Sequence, residues 1–207
     1  MYADVDIPPA EDDVSAVAAA AGRAASAGVG LVQMRERSLE AVSLLSLAAM
    51  IRRSIDGTGA RLLVNERIDV ALAAGADGVH LPADAPSCAR ARAIVPDSFL
   101  VGRSVHSLQE AVSAEEQGGC DYLIFGTVFE SRSKPAGHPV AGLEALARVC
   151  AAVRLPVLAI GGVTVERAAD VARAGAAGVA GIGLFATGGQ GELDETVAQL
   201  RQAFAPS

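Results

Sequence analysis

Short apolar runs alternate with stretches whose apolar residues recur three and four apart, and this alternation persists along almost the whole chain. The runs at residues 29–34, 61–64, 78–81, 99–101, 122–126, 157–160 and 178–182 are bounded by Gly, Pro or polar residues, which predicts short buried strands. Residues 14–27, 39–53, 68–74, 87–95, 108–117, 143–153, 165–174 and 193–204 carry the helical spacing between and after them. Several of these segments close on a glycine such as Gly75, Gly118 or Gly175, where a helix can end in a left-handed cap. An eighth strand would have to come from residues 2–7, and its Ala-Asp-Val-Asp content makes it the weakest of the set.

Strict strand-then-helix order with continuously apolar strands implies a parallel sheet with right-handed crossovers. Seven or eight such units with no break in composition predict a single-domain α/β fold, a (β/α)8 TIM barrel spanning residues 1–207, with residues 1–13 an N-terminal segment bearing the weak first strand. An open doubly wound sheet is the alternative, but no Gly-x-Gly-x-x-Gly follows a first strand to mark a dinucleotide site. The phrases Ala73-Ala74-Gly75-Ala76-Asp77-Gly78-Val79 and Arg173-Ala174-Gly175-Ala176-Ala177-Gly178-Val179 echo each other, as expected of two helix-to-strand turns in one barrel.

Composition narrows the function. The 207 residues are 51% hydrophobic with 22 Gly and no Trp, suited to close packing of helices on parallel strands. A net charge of −7 offers no basic field for nucleic acid or an anionic membrane, so an anionic ligand must be held by local donors. Cys88, Cys120 and Cys150 are odd in number and widely spaced, which predicts reduced thiols in a cytoplasmic protein and neither a disulfide framework nor a cysteine metal site. The acidic start with Pro8-Pro9 lacks the basic and apolar regions of a secretory signal, and no run reaches the roughly 18 apolar residues of a membrane span.

In a barrel of this kind chemistry belongs to the C-terminal strand ends and the loops that follow. Those ends present Gln33, Arg35 and Arg37; Asn65 and Glu66; His80; Ser104 and His106; Thr127 and the loop to Gly142; Gly161-Gly162; and Gly181-Ile182-Gly183. The last two glycine turns are where this architecture commonly cradles a phosphate with backbone N–H groups, although glycines that merely let the chain turn would read the same way. Gln33, Arg35 and Arg37 alternate along one strand end and offer three donors to an anion, with a solvated rim as the alternative and Glu36 or Glu66 as structural partners. Residues 130–139, with Ser131, Arg132, Ser133 and Lys134, form an unpatterned loop rich in hydroxyls and cations, suited to an anion-clasping lid. Of three histidines, His106 is the best base, His80 is as consistent with a structural ring as with a ligand, and His138 lies in the loop. Glu66 and Asp84 are the only plausible carboxylate pair for a hard metal ion.

These stretches resemble the thiamine-phosphate synthase and TenI superfamily over nearly the whole chain from Gly28. The resemblance rests on Val32-Gln33-Met34-Arg35-Glu36-Arg37, Leu63-Val64-Asn65-Glu66-Arg67-Ile68-Asp69, Gly75-Ala76-Asp77-Gly78-Val79-His80-Leu81, Gly126-Thr127-Val128-Phe129 with Ser131-Arg132-Ser133-Lys134-Pro135, and Ala159-Ile160-Gly161-Gly162-Val163. It implies one of two activities. A synthase couples a pyrimidine pyrophosphate to thiazole phosphate with Mg²⁺, held by an Asp after the third-strand Asn and another after the fourth strand. Here Glu66 and Ala85 stand in those places, with Asp84 adjacent, and Arg37 replaces a Lys. Thiazole tautomerases share the fold and the thiazole-phosphate pocket without a metal and carry Gly-Arg-Ser-Val-His-Ser, matched here by Gly102–Ser107, and His-Leu-Pro, matched by His80-Leu81-Pro82.

The expectation drawn from these departures is a cofactor-free tautomerase, an isomerase of thiamine biosynthesis in which His106 shuttles a proton to aromatise a thiazole carboxylate phosphate. By the same resemblance Gly162, Gly183, Ser131 and Ser133 hold the phosphate and Lys134 and Arg35 neutralise the substrate; Gly161, Ile182, Gln33, Arg37 and Asn65, read from their places at the strand ends, are expected to join them in binding substrate or phosphate. The alternatives are the synthase, with Mg²⁺ on Glu66 and Asp84, and a non-catalytic protein that binds a thiamine precursor. The expected partner is a small phosphorylated thiazole, with no nucleic acid and no membrane; the last helix and the Ala-rich outer helices offer faces for a homo-oligomer.

Overall fold

Among the described residues eight strands pair in chain order and close on themselves. The structure, a computed structural model, describes residues 2–6, 14–36, 38–131, 134–135, 137–186 and 189–205. The strands are β1 (Tyr2–Asp6), β2 (Leu31–Arg35), β3 (Arg61–Asn65), β4 (Gly78–Leu81), β5 (Leu100–Val105), β6 (Tyr122–Gly126), β7 (Val157–Ile160) and β8 (Gly178–Gly181). All pairings are parallel, and β1 shuts the barrel by pairing with β2 through Tyr2↔Leu31 and with β8 through Tyr2↔Ala180 and Ala3↔Gly181. The acidic N-terminal run thus forms the eighth strand, satisfied by hydrogen bonding to strands on both sides where its composition gave little signal.

The helices are α1 (Val14–Ser26), α2 (Ala41–Ile55), α3 (Ile68–Ala73), α4 (Cys88–Arg92), α5 (Leu108–Gln117), α6 (Gly142–Ala152), α7 (Val165–Arg173), α8 (Gly183–Ala186) and α9 (Gln190–Ala203). Their inward faces are small and aliphatic. Ala21, Ala24, Ala48 and Ile51 are fully buried on α1 and α2; Ala21, Ala48 and Ile51 share a core cluster with Val32 of β2 and Leu62 of β3, and Ala24 shares another with Val29, just ahead of β2. A separate cluster of Leu63, Tyr122, Ile124, Leu158 and Ala180 fills the barrel, which follows from alternate strand residues pointing to opposite faces.

Two features depart from the sequence reading. β5 continues to Val105, although the polar Gly102-Arg103-Ser104 suggested that the strand stops at Val101. Those residues stay in the strand because each has a partner: Gly102 lets the Tyr122 ring cross at a point where a Cβ would lie 2.0 Å from the ring, and Ser104 bonds His80. The cysteine expectation is corrected for one pair. Cys88 and Cys120 form a disulfide with Cα atoms 5.3 Å apart, while Cys150 is free. Their separation of 32 residues hid the pairing; Gly119 brings them together by lying against the backbone of Cys88 and Ala89, where a Cβ would come within 2.7–2.8 Å.

Candidate functional site

The register lays Asn65, His80, Gly102 and Tyr122 side by side across four strands. His80 is 2% exposed, with Nδ1 3.1 Å from the Tyr122 hydroxyl and Nε2 2.8 Å from Ser104 Oγ, and its ring stacks on Tyr122 with centroids 5.7 Å apart. Burial, followed by the charges of Arg35 and Arg103, pushes its pKa down to about 3. The ring is therefore neutral at ordinary pH, and of the two roles open to it from the sequence it takes the hydrogen-bonded one.

Gln33 does not stand among three donors in the mouth. Its side chain is 2% exposed below the rim, where Nε2 donates to Asn65 Oδ1 at 3.3 Å. Gln33 Oε1 is buried with no hydrogen-bond partner among the described residues. A buried unsatisfied acceptor costs about 1–3 kcal/mol, so this atom is a place where a ligand N–H or O–H would be rewarded. Arg35 sits above it at the strand end, part-exposed, and Arg37 lies outside the described residues. Glu36 accepts from the backbone N–H of Ser38 at 2.6 Å and from its hydroxyl at 2.7 Å, closing the turn that follows β2.

His106 directly follows β5, exposed, and three contacts set its surroundings. Its Nδ1 lies 2.6 Å from the Gly126 carbonyl oxygen, which can only accept, so Nδ1 carries the proton and Nε2 of the neutral ring presents a lone pair. Its backbone N–H donates to Glu110 Oε2 at 2.7 Å, while Ser107 Oγ accepts from Glu110 N at 3.1 Å as the N-cap of α5. The ring is therefore aimed from the strand β6 side and its backbone from the α5 side. Such a group can accept or return a proton.

The glycine turn after β7 is tightly built. Gly161 and Gly162 have φ of 98° and 61°, and a Cβ on Gly162 would lie 2.2 Å from the Glu130 carbonyl oxygen. Only glycine fits both the left-handed backbone and that approach. Arg167 on α7 donates to the Gly162 carbonyl at 2.8 Å and covers the Phe129 ring at 4.6 Å, tying this turn to the start of the β6–α6 loop. After β8, Ile182 forms a bend and Gly183 opens the short α8, an element the sequence pattern did not announce. In the expected lid Lys134 is exposed and its N–H donates to the Ser131 carbonyl at 3.1 Å; His138 is also exposed; Arg132, Ser133 and Ala136 fall outside the described residues.

Glu66 and Asp84 are both exposed, on the loops after the neighbouring strands β3 and β4. Glu66 has φ 64° and its N–H donates to the His80 carbonyl at 2.8 Å, which fixes the backbone that bears its carboxylate. Among the described residues no three His, Cys, Asp or Glu side chains gather as a metal cage. Two hard, exposed carboxylates on adjacent loops nevertheless fit an ion such as Mg²⁺ that takes one or two protein carboxylates and draws its other oxygens from substrate phosphates and water.

Sequence reasoning missed Tyr122, Arg103, Glu110 and Arg167, which act on the residues it found. Glu110 had a legible signal, since Ser107 with a Glu three residues on is the start of a capping box. The others are joined to their partners only through the fold.

A family model described as thiamine monophosphate synthase matches residues 7–185. The thiamine-phosphate synthase of Methanoculleus marisnigri is 44% identical over 182 residues, covering 88% of this chain and 85% of that one. The putative thiamine-phosphate synthase of Geobacter sulfurreducens is 45% identical over 158 residues, 76% of this chain and 73% of that one. Among solved structures, a thiamine phosphate pyrophosphorylase from Pyrococcus furiosus superposes with a TM-score of 0.81 at 30% identity, covering 98% of this chain and 94% of that one. A 3-hexulose-6-phosphate synthase, at 19% identity and a TM-score of 0.73, shares the fold alone. Among the described residues no helix is long and apolar enough to cross a membrane.

Proposed function

This chain belongs to the thiamine monophosphate synthase family, and from that premise we propose that it is a thiamine-phosphate synthase, a transferase that joins a pyrimidine pyrophosphate to thiazole phosphate. One observation carries this reading over the tautomerase expected from the sequence: the likeness to a named synthase runs at 44% identity over 182 residues, 88% of the chain. The isomerase reading has no such support and becomes the second.

In the coupling the thiazole nitrogen forms a bond to the pyrimidine methylene carbon as the carbon–oxygen bond to pyrophosphate breaks. The leaving group departs with the electron pair, and no proton needs to be abstracted. The task of the protein is thus to hold two anions, align the reacting atoms and keep water away. The glycine turns at Gly161, Gly162, Ile182 and Gly183, with Ser131 and Ser133 on the lid, would hold the thiazole phosphate. Arg35, Arg37 and Lys134 would balance the negative charge, and Gln33 with Asn65 would meet the ring that enters the barrel, where Gln33 Oε1 lacks a donor. Glu66 and Asp84 would hold Mg²⁺, which when bound neutralises charge on the departing pyrophosphate.

His106 favours the second reading. Coupling has no proton for its Nε2 lone pair to move, whereas aromatising a thiazole carboxylate phosphate does. Assaying the purified protein in parallel for the two reactions, with and without Mg²⁺, separates them. The synthase reading expects Mg²⁺-dependent release of pyrophosphate with formation of thiamine phosphate; tautomerisation without coupling would replace it with the isomerase, in which His106→Gln should abolish turnover.

A further inference from the structure

Strand β5 turns Val101 and Val105, both fully buried, toward the helices, while Gly102 meets Tyr122 and Ser104 meets His80 on the interior side. Arg103 shares the helix-facing side with the two valines. It is a half-buried cation in an otherwise apolar layer, and such a group is stable there only with its donors satisfied. The three carbonyls it bonds lie in one loop. Nη2 donates to the carbonyl oxygens of Ala83 at 2.7 Å and Ala85 at 3.1 Å, and Nη1 to that of Pro86 at 2.9 Å. Two of these carbonyls flank Asp84, whose side chain is exposed. The loop ends at Cys88, itself tied to Cys120.

We propose that Arg103 is a positioning residue that fixes the β4–α4 loop from beneath and thereby holds the Asp84 carboxylate at the barrel mouth, next to the loop bearing Glu66. The proposal rests on the synthase reading, in which Asp84 meets the magnesium pyrophosphate. Its physical content is that a planar five-donor fork can take three carbonyls at once, and each charge-assisted bond turns a peptide oxygen down toward the strand. Lysine has a single nitrogen at that place and would hold fewer of them.

The test uses the full chain with Arg103→Met, which keeps most of the stem and removes the donors, and Arg103→Lys. Amide hydrogen exchange of residues 83–88 reads the loop directly, without activity. The Mg²⁺ concentration for half-maximal rate reads Asp84, with Asp84→Asn as the reference. Arg103→Met should speed exchange at 83–88 and raise the Mg²⁺ requirement about tenfold, as loss of a residue orienting a metal ligand does, while leaving KM for thiazole phosphate within about twofold. Arg103→Lys should fall between it and the wild type. Unchanged exchange in both variants, or a mobile loop with an unchanged Mg²⁺ requirement, would overturn the proposal; a wild-type protein that does not couple at all would instead overturn the synthase reading, with the exchange result left standing by itself.

Discussion

The two ends of the barrel use the same polar residue types for opposite purposes. At the N-terminal end carboxylates are spent on the backbone. Asp77 Oδ2 accepts from the N–H of Leu62 at 2.8 Å, Asp121 Oδ2 from that of Val101 at 2.7 Å, and Glu115 Oε1 from those of Arg154 and Leu155 at 2.6 and 3.0 Å. Each bond closes a strand start or a helix-to-strand turn, so this end reads as stability. At the C-terminal end Gln33 Oε1 is buried without a partner among the described residues, Glu66 holds a left-handed φ of 64°, and His106 is aimed but exposed. Unspent polarity and strained backbone are tolerated where a ligand is to complete them. Fold stability and ligand chemistry are thus separated by the length of a strand.

That contrast predicts that substitutions at the two ends will divide between activity and stability. The largest effect is expected from Gln33→Met. It removes the unpartnered acceptor at similar volume and should lower kcat/KM about 10²- to 10³-fold, as loss of a directed polar group in a buried site does, while stability from urea unfolding shifts by no more than about 1 kcal/mol. A stability loss matching the activity loss would erase the distinction. Next is the tie between Cys88 and Cys120. Closing 32 residues of chain is worth about 3–4 kcal/mol by loop entropy, so Cys88→Ser should lower the urea midpoint accordingly. Asp121→Ala leaves the buried Val101 N–H without its acceptor and should cost about 1–3 kcal/mol, with kcat/KM within about twofold. A large activity loss there would show that the lower rim is not merely structural.

The smallest effect is a slope against pH. The folded His80 ring has a pKa of about 3 while the unfolded ring titrates at 6.5, so below the latter the unfolded state binds the additional proton. Stability is then full above pH 6.5 and falls on acidification toward about 3, by at most about 1.4 kcal/mol per pH unit from this group. Unfolding His80→Asn across that range should give a flatter profile than the wild type.

Local pattern made most of the fold legible. Seven apolar runs became strands β2 to β8 within a residue or two, except where β5 ran on through Gly102-Arg103-Ser104 because Tyr122, the loop carbonyls of 83–86 and His80 receive those residues. β1 was faint in the sequence, and the closed sheet places it by pairing with β2 on one edge and β8 on the other. At the site, the placement of His106 and of the glycine turns at strand ends followed from the order of elements. What a linear reading could not carry was the outcome of contacts between distant residues: Gln33 sinking onto Asn65 instead of standing beside Arg35, His80 neutralised by burial, Cys88 meeting Cys120, and Arg103 reaching back to the preceding loop. Each depends on which strands are neighbours, a property of the closed sheet.

The claim that one end of this barrel is built for a phosphorylated ligand is tested most directly by following backbone amide resonances while thiazole phosphate is added. The account predicts saturable shifts concentrated at Gly161, Gly162, Gly183 and the 130–139 loop, with Leu62, Val101, Arg154 and Leu155 unmoved. Saturable shifts at those lower-rim amides, or no saturable shift at the glycine turns, would contradict it.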